Sequence, residues 1–269
     1  MMNMKMLRLF FGVSLLMPAL CSAQSGNLPV GGLLPAGNEP AQKPEQAQEE
    51  DIADWLKEVS NLPAESRAMY AAAFQEAKKC YAQGRLIECE SHLNTCETFT
   101  RNNPNVWNLR ASAMISQKRF AEAEPLLKQA RLKNPQDAVA RLSLSLLYLG
   151  TQEFDKCIAE TDELIDEIRY RDMMQLSRSL TFRKFLCLIM MERMDEARAL
   201  VADIGPMDDS PLYYYSQAVF AYVKGDRQGA LRELNTADSI YRGIGYISGY
   251  KQALEYSGVI EKFAAGSAR

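Results

Sequence analysis

One register recurs along this chain at intervals of 34 residues. Aligned without gaps, segments starting at Tyr70, Pro104 and Ala138 put Ala77, Ala111 and Ser145 in one column and Leu86, Phe120 and Phe154 in another. Further columns hold Leu93, Leu127 and Thr161, then Cys96, Ala130 and Leu164. A fixed period of this size marks an array of small units, each unable to bury its apolar face without its neighbours. From residue 64 onward the sequence is short in Pro and Gly, and helix-length apolar patterns alternate with brief breaks. The expected unit is therefore a pair of antiparallel helices. Small residues at the crossing let the two axes approach to roughly 8–10 Å, and large ones fill the space on either side. Asn103 and Ser210 each precede a proline, the arrangement of a side-chain cap before a first helical position. Pro125 falls inside the second helix of its unit and is expected near the first turn, below the cost of about 3 kcal/mol in a helix interior.

The spacing resembles the tetratricopeptide repeat. The second copy carries Trp107, Ala111, Gln117, Phe120, Ala123, Leu127, Ala130 and Pro135 at that family's positions, with Arg110 where Leu is usual. Two looser copies follow: 178–210 with Met194 and Ala197, and 211–243 with Ala218, Gly225, Ala230, Leu234 and Ala237. The resemblance spans about 175 residues. It implies an all-α fold, a right-handed α-solenoid of about five helix-turn-helix repeats with terminal capping helices.

The array occupies residues 63–244, and other features flank it. Residues 1–23 read as a secretory signal peptide, with Lys5 and Arg8 before the apolar run Leu9 to Leu20 and a small-residue cleavage pattern Cys21-Ser22-Ala23. That run is shorter than the roughly 18 residues of a bilayer span, so an exported chain, periplasmic or secreted, is expected. Cleavage after Ala23 is favoured over a lipoprotein anchored at Cys21, because Leu20 stands where a lipobox carries a small residue. Residues 24–49, rich in Pro, Gly and Gln and without aromatics, read as a flexible linker. Residues 50–62 form an amphipathic helix with Ile52, Trp55, Leu56 and Val59 on one face, suited to capping the first repeat or to lying in a groove. Residues 245–269 lose the register and read as a C-terminal capping helix and tail.

Cys80, Cys89 and Cys96 crowd into 17 residues with His92, the only histidine, yet each shares a column with core residues of later copies. They read as small hydrophobes. Paired close ligands of the C-x2-C kind are absent, so neither a metal nor a cofactor is expected. An oxidising compartment leaves disulfides open for Cys80, Cys89, Cys96, Cys157 and Cys187, with Cys80–Cys89 the pair that one hairpin would bring together. No nucleophile elbow, HExxH or P-loop occurs, and the carboxylates Asp162, Glu163, Asp166 and Glu167 read as a solvated helix face, so no catalysis is expected. Without Lys5 and Arg8, 34 acidic side chains outnumber the basic ones by about five, which disfavours nucleic acid.

In arrays of the kind this sequence resembles, first helices line a concave groove. Phe74, Asn108, Leu142, Phe182 and Tyr215 would form one row of it; Tyr81, Ile115, Leu149, Ile189 and Tyr222 another; Leu146, Leu186 and Val219 lie between. Family members that grip a peptide's terminal carboxylate use Lys, Arg and Asn along the groove. Here only Asn105 and Asn108 are in place, so an apolar peptide or helix is the expected ligand. The function expected is a non-catalytic interaction scaffold or adaptor of the cell envelope, peripheral to any membrane. The alternative is a periplasmic chaperone or assembly factor for exported subunits, distinguished by binding many unfolded clients.

Overall fold

The computed structural model describes residues 54–135, 137–168, 173–243 and 247–265. The expectations for residues 1–23 and 24–49 lie outside them. Among the described residues the secondary structure is entirely helical. A short helix α1 (Asp54–Asn61) precedes five hairpins: α2 (Ala64–Ala82) with α3 (Leu86–Glu97), α4 (Pro104–Ser116) with α5 (Phe120–Lys133), α6 (Ala138–Gly150) with α7 (Phe154–Ile168), α8 (Met174–Met190) with α9 (Met194–Leu200), and α10 (Leu212–Val223) with α11 (Arg227–Ile240). Two more helices, α12 (Ile247–Ser257) and α13 (Val259–Ala265), complete the described chain. Each hairpin packs internally, and α3 on α4, α5 on α6 and α7 on α8 join consecutive hairpins into an all-α solenoid.

The tight turn inside each hairpin gives the repeat its register. Gly84, Lys118, Gln152, Glu192 and Gly225 all adopt left-handed backbone, with φ between 59° and 79°. In every case the next residue's N–H reaches back five positions: Arg85 to Cys80, Arg119 to Met114, Glu153 to Tyr148, Arg193 to Leu188 and Asp226 to Ala221, at 2.8–2.9 Å. This is the Schellman closure, which satisfies a carbonyl that the helix end would otherwise leave open. The third and fourth turns lie 40 residues apart, because α8 is long. That insertion is why the fourth copy reads loosely in sequence.

Counted five residues past each turn, Cys89, Ala123, Cys157, Ala197 and Ala230 form one column with 0% exposure. This is where the second helix meets the first, and only a small side chain fits. The partner column on the first helices is Ala77, Ala111, Ser145 and Ala218, with Phe185 in the fourth hairpin. There the bulk is absorbed by stacking on Phe182 and an edge contact to Phe220. The clustered thiols are core side chains, as their columns imply.

Helix starts follow the sequence signals. The Asn103 side chain accepts from the Asn105 N–H at 2.9 Å, Asp137 does the same for Val139, and Ser210 Oγ accepts from the Leu212 N–H. Pro125 sits one turn deeper in α5 than expected, as its sixth residue. The position is exposed, so solvent can hydrate the carbonyl of Ala121, which is exposed too. Arg110, the departure from the resembled pattern, is explained by α3: its guanidinium pairs with Glu90 at 3.0 Å and with Glu97, and donates to Asn94 at 2.7 Å. At the N-terminal end, Val59 and Leu62 pack against the first-hairpin core. Residues 50–53, the start of the expected helix with Ile52, lie outside the described residues.

Three substitutions test this register. Gly84→Ala and Gly225→Ala meet nothing within 4 Å of the new methyl group, so each should lower urea-unfolding stability by the backbone cost alone, about 1 kcal/mol. Ala123→Leu, by contrast, overfills a crossing and should cost about 1–3 kcal/mol in the same measurement.

Candidate functional site: the face lined by the first helices

The expected groove residues do lie on one face, but they do not line an open groove. Phe74, Ile115, Leu142, Leu146, Leu149, Phe182, Leu186, Ile189, Tyr215 and Val219 are buried, and Tyr81 and Tyr222 are half-buried. Two of them are taken up within the array: Phe74 belongs to the core of the first hairpin, and Leu142 packs with Leu164, Leu176 and Leu180 where α6, α7 and α8 meet. The other eight buried residues share one core cluster with Tyr250, Ala253, Leu254 and Val259 of α12 and α13, while Tyr81 packs on the first-hairpin core. The C-terminal segment thus corrects two expectations together. It does not stack on the last hairpin alone, since α12 packs on α8 and α6 while α13 packs on α10 and α8. Nor is the face open to solvent, because that segment covers it.

The physical reason is the apolar spacing of the segment. Tyr250, Ala253, Leu254 and Ser257 stand at i, i+3, i+4 and i+7, one stripe of a helix, and all four are buried. Tyr250 is the central anchor, its ring centroid 5.2 Å from Phe182 and 5.3 Å from Tyr215. Its hydroxyl lies 3.3 Å from Ser210 Oγ. Polar contacts surround this centre. Lys118 pairs with Glu255 at 3.1 Å, Lys251 with Asp238 at 2.9 Å, and Lys262 with Glu192 at 3.0 Å. The Tyr256 hydroxyl donates to the Ile115 carbonyl at 3.1 Å, and Lys262 Nζ donates to the Met190 carbonyl at 3.0 Å. An aromatic centre with a polar rim is how a helix-binding interface is built.

The sequence reading did not pick out Lys118, Gln152, Glu192 or Tyr250. The stripe at 250–257 was the available signal; nothing local says which surface it covers.

The remaining polar groups are structural. Asn105 and Asn108 are buried, and Asn108 Nδ2 donates to Asp137 at 3.3 Å, so neither offers a carboxylate grip. The carboxylates expected on a solvated face are partly exposed there and also cross-link helices: Asp162 pairs with Lys184 at 2.7 Å, Glu163 with Arg131 at 3.3 Å, and Glu167 with Arg141 at 3.0 Å. Cys80, Cys89, Cys96, Cys157 and Cys187 are free thiols, all buried. Burial pushes the Cys89 thiol up to about 11 and Cys96 up to about 12, so both stay protonated, poor nucleophiles and poor metal ligands. Cys157 goes the other way, drawn down by a hydrogen bond from Cys187 and by the Arg183 guanidinium, but at 0% exposure no substrate reaches it. Among the described residues no three His, Cys, Asp or Glu side chains gather into a metal site, and no helix is long and apolar enough to cross a membrane.

Stacked helical hairpins with a self-covered face define an α-helical repeat protein. Residues 114–169, from the end of α4 past α7, match the family described as tetratricopeptide repeat, and the 34-residue period continues N-terminal to that stretch. Proteins of this kind are protein-interaction scaffolds. Among solved structures, MamA of AMB-1 is similar with a TM-score of 0.44 at 15% identity, over 64% of this chain and 98% of its own. MamA of MSR-1 has a TM-score of 0.45 at 16% identity, over 64% and 95%. No curated protein matches the sequence.

Tyr250→Ala should remove the anchor of the covering segment and cost about 3–5 kcal/mol, read as a lower thermal midpoint. An unchanged midpoint would mean that α12 contributes nothing to the core.

Proposed function

We propose that this chain is a non-catalytic scaffold of the cell envelope that holds a helix of a partner protein along its first-helix face. The observation that carries the reading is the face itself, which accepts a helix pair across the second to fifth hairpins and does so with an aromatic centre and a charged rim. In its resting form that place is taken by α12 and α13, and the partner's helix takes their place. Export supports the envelope setting: Lys5 and Arg8, the short apolar run and the Cys21-Ser22-Ala23 pattern describe a secretory leader.

Helix exchange predicts competition. A chain ending at Gly243, used as bait in cross-linked envelope extracts of its native cells, should recover more of its partner than the full chain. Added peptide 247–265 should lower that recovery. Recovery that neither shortening nor peptide alters would rule out binding at this face.

A further inference from the structure

The five left-handed turns differ in one respect. Those of the first and fifth hairpins are glycines, the residue this backbone favours, with no heavy atom near where a side chain would begin. Those of the second, third and fourth are Lys118, Gln152 and Glu192, which adopt the same conformation against steric preference.

These three turns are the ones the C-terminal segment passes, and it meets them in order. At the second-hairpin turn, Lys118 pairs with Glu255 at 3.1 Å and lies over the Tyr256 ring, 5.8 Å from its centroid. The same ring makes an edge contact with Phe120, and its hydroxyl binds the Ile115 carbonyl in the last turn of α4. At the third, Gln152 only touches the segment: its amide nitrogen lies 3.6 Å from where a Cβ on Gly258 would stand, an ordinary contact distance that leaves room for one. Gly258 is itself left-handed, φ 72°, and breaks α12 from α13 at that point. At the fourth, Lys262 bridges Glu192 and the Met190 carbonyl, the negative end of α8, where a cation is favoured.

We infer that Lys118 and Glu192 are specificity determinants of the first-helix face, selecting a helix–glycine–helix segment with a Glu-Tyr pair and a lysine at the spacing of residues 255–256 and 262. The ring stack at Tyr250 supplies attraction that many apolar helices could offer. The turn residues supply direction and register, since a reversed segment brings Lys262 to Lys118 and Glu255 to Glu192. A partner that displaces α12 and α13 carries this same chemistry. That statement about the partner rests on the helix-exchange reading; the selectivity itself is a property of the chain alone.

Charge exchange tests it in the full-length protein by hydrogen exchange. Lys118→Glu with Glu192→Lys should speed amide exchange across 247–263 about tenfold, as reversing two exposed pairs implies, and leave α4 to α7 unchanged. Adding Glu255→Lys and Lys262→Glu should restore slow exchange. A second arm titrates labelled peptide 247–265 into the full-length protein, where it competes with the resident α12 and α13. The natural peptide should bind about tenfold more tightly than its Glu255→Lys, Lys262→Glu version, and the preference should invert on the charge-exchanged chain. Exchange rates indifferent to the first pair, absence of restoration, or equal affinity for both peptides would each overturn the inference. Neither arm contains an envelope partner, so failed partner capture leaves this result standing and the reverse also holds.

Discussion

Everything in this molecule depends on how closely two helices approach inside each hairpin. The column Cys89, Ala123, Cys157, Ala197 and Ala230 is buried without remainder, and a larger side chain at any of these places would force the helix axes apart. Two of the cysteines, Cys89 and Cys157, follow from that requirement. A thiol is about the size the crossing allows, and desolvation keeps the Cys89 thiol protonated and unreactive. Because the same crossing recurs after the same left-handed turn, each first helix presents its next face in a common direction, and a continuous apolar surface results.

Such a surface is costly in water. Fully burying a large apolar side chain is worth roughly 1.5–3 kcal/mol relative to exposure, so a row of Ile115, Leu149, Phe182, Ile189 and Tyr215 left open would forfeit much of a domain's stability. This chain covers the surface with its own C-terminal helices. The rim of the covered region is polar and partly exposed, with Lys118 and Glu255 each about 60% accessible on their side chains. Exposed pairs of this kind add little stability and considerable directional preference. The cover is therefore anchored at its centre by rings and oriented at its edge by charge.

Electrostatics also fastens the hairpins. Arg110 reaches from α4 to α3, Arg131 from α5 to α7, and Lys184 from α8 to α7, each to carboxylates of a neighbouring hairpin. Arg183 is buried at the junction of α6 and α8, where it donates to the Leu142 carbonyl at 2.7 Å and to Ser145 Oγ at 2.6 Å. These long side chains bridge where small crossing residues leave room beyond the contact.

Periodicity established the hairpins and their small-residue crossings, a proline after Asn103 and Ser210 marked the caps, and the family resemblance implied the side of the array on which Phe182, Ile189 and Tyr215 would fall. All of these are local: a helix turns every 3.6 residues, and a column repeats wherever the unit does. Pro125 and the long α8 were harder to read, since a proline's cost depends on whether water reaches the freed carbonyl, and an insertion breaks register without breaking the helix. Whether the apolar face meets solvent or another helix was not local at all. The Tyr256 hydroxyl bonds to a carbonyl 141 residues earlier in the chain, and no spacing rule reaches that far. Sequence determined that 250–257 would carry an apolar stripe; only the fold in three dimensions decided what it covers, because the direction in which α12 leaves the last hairpin, and the surface it finds there, are set by the summed geometry of all five crossings.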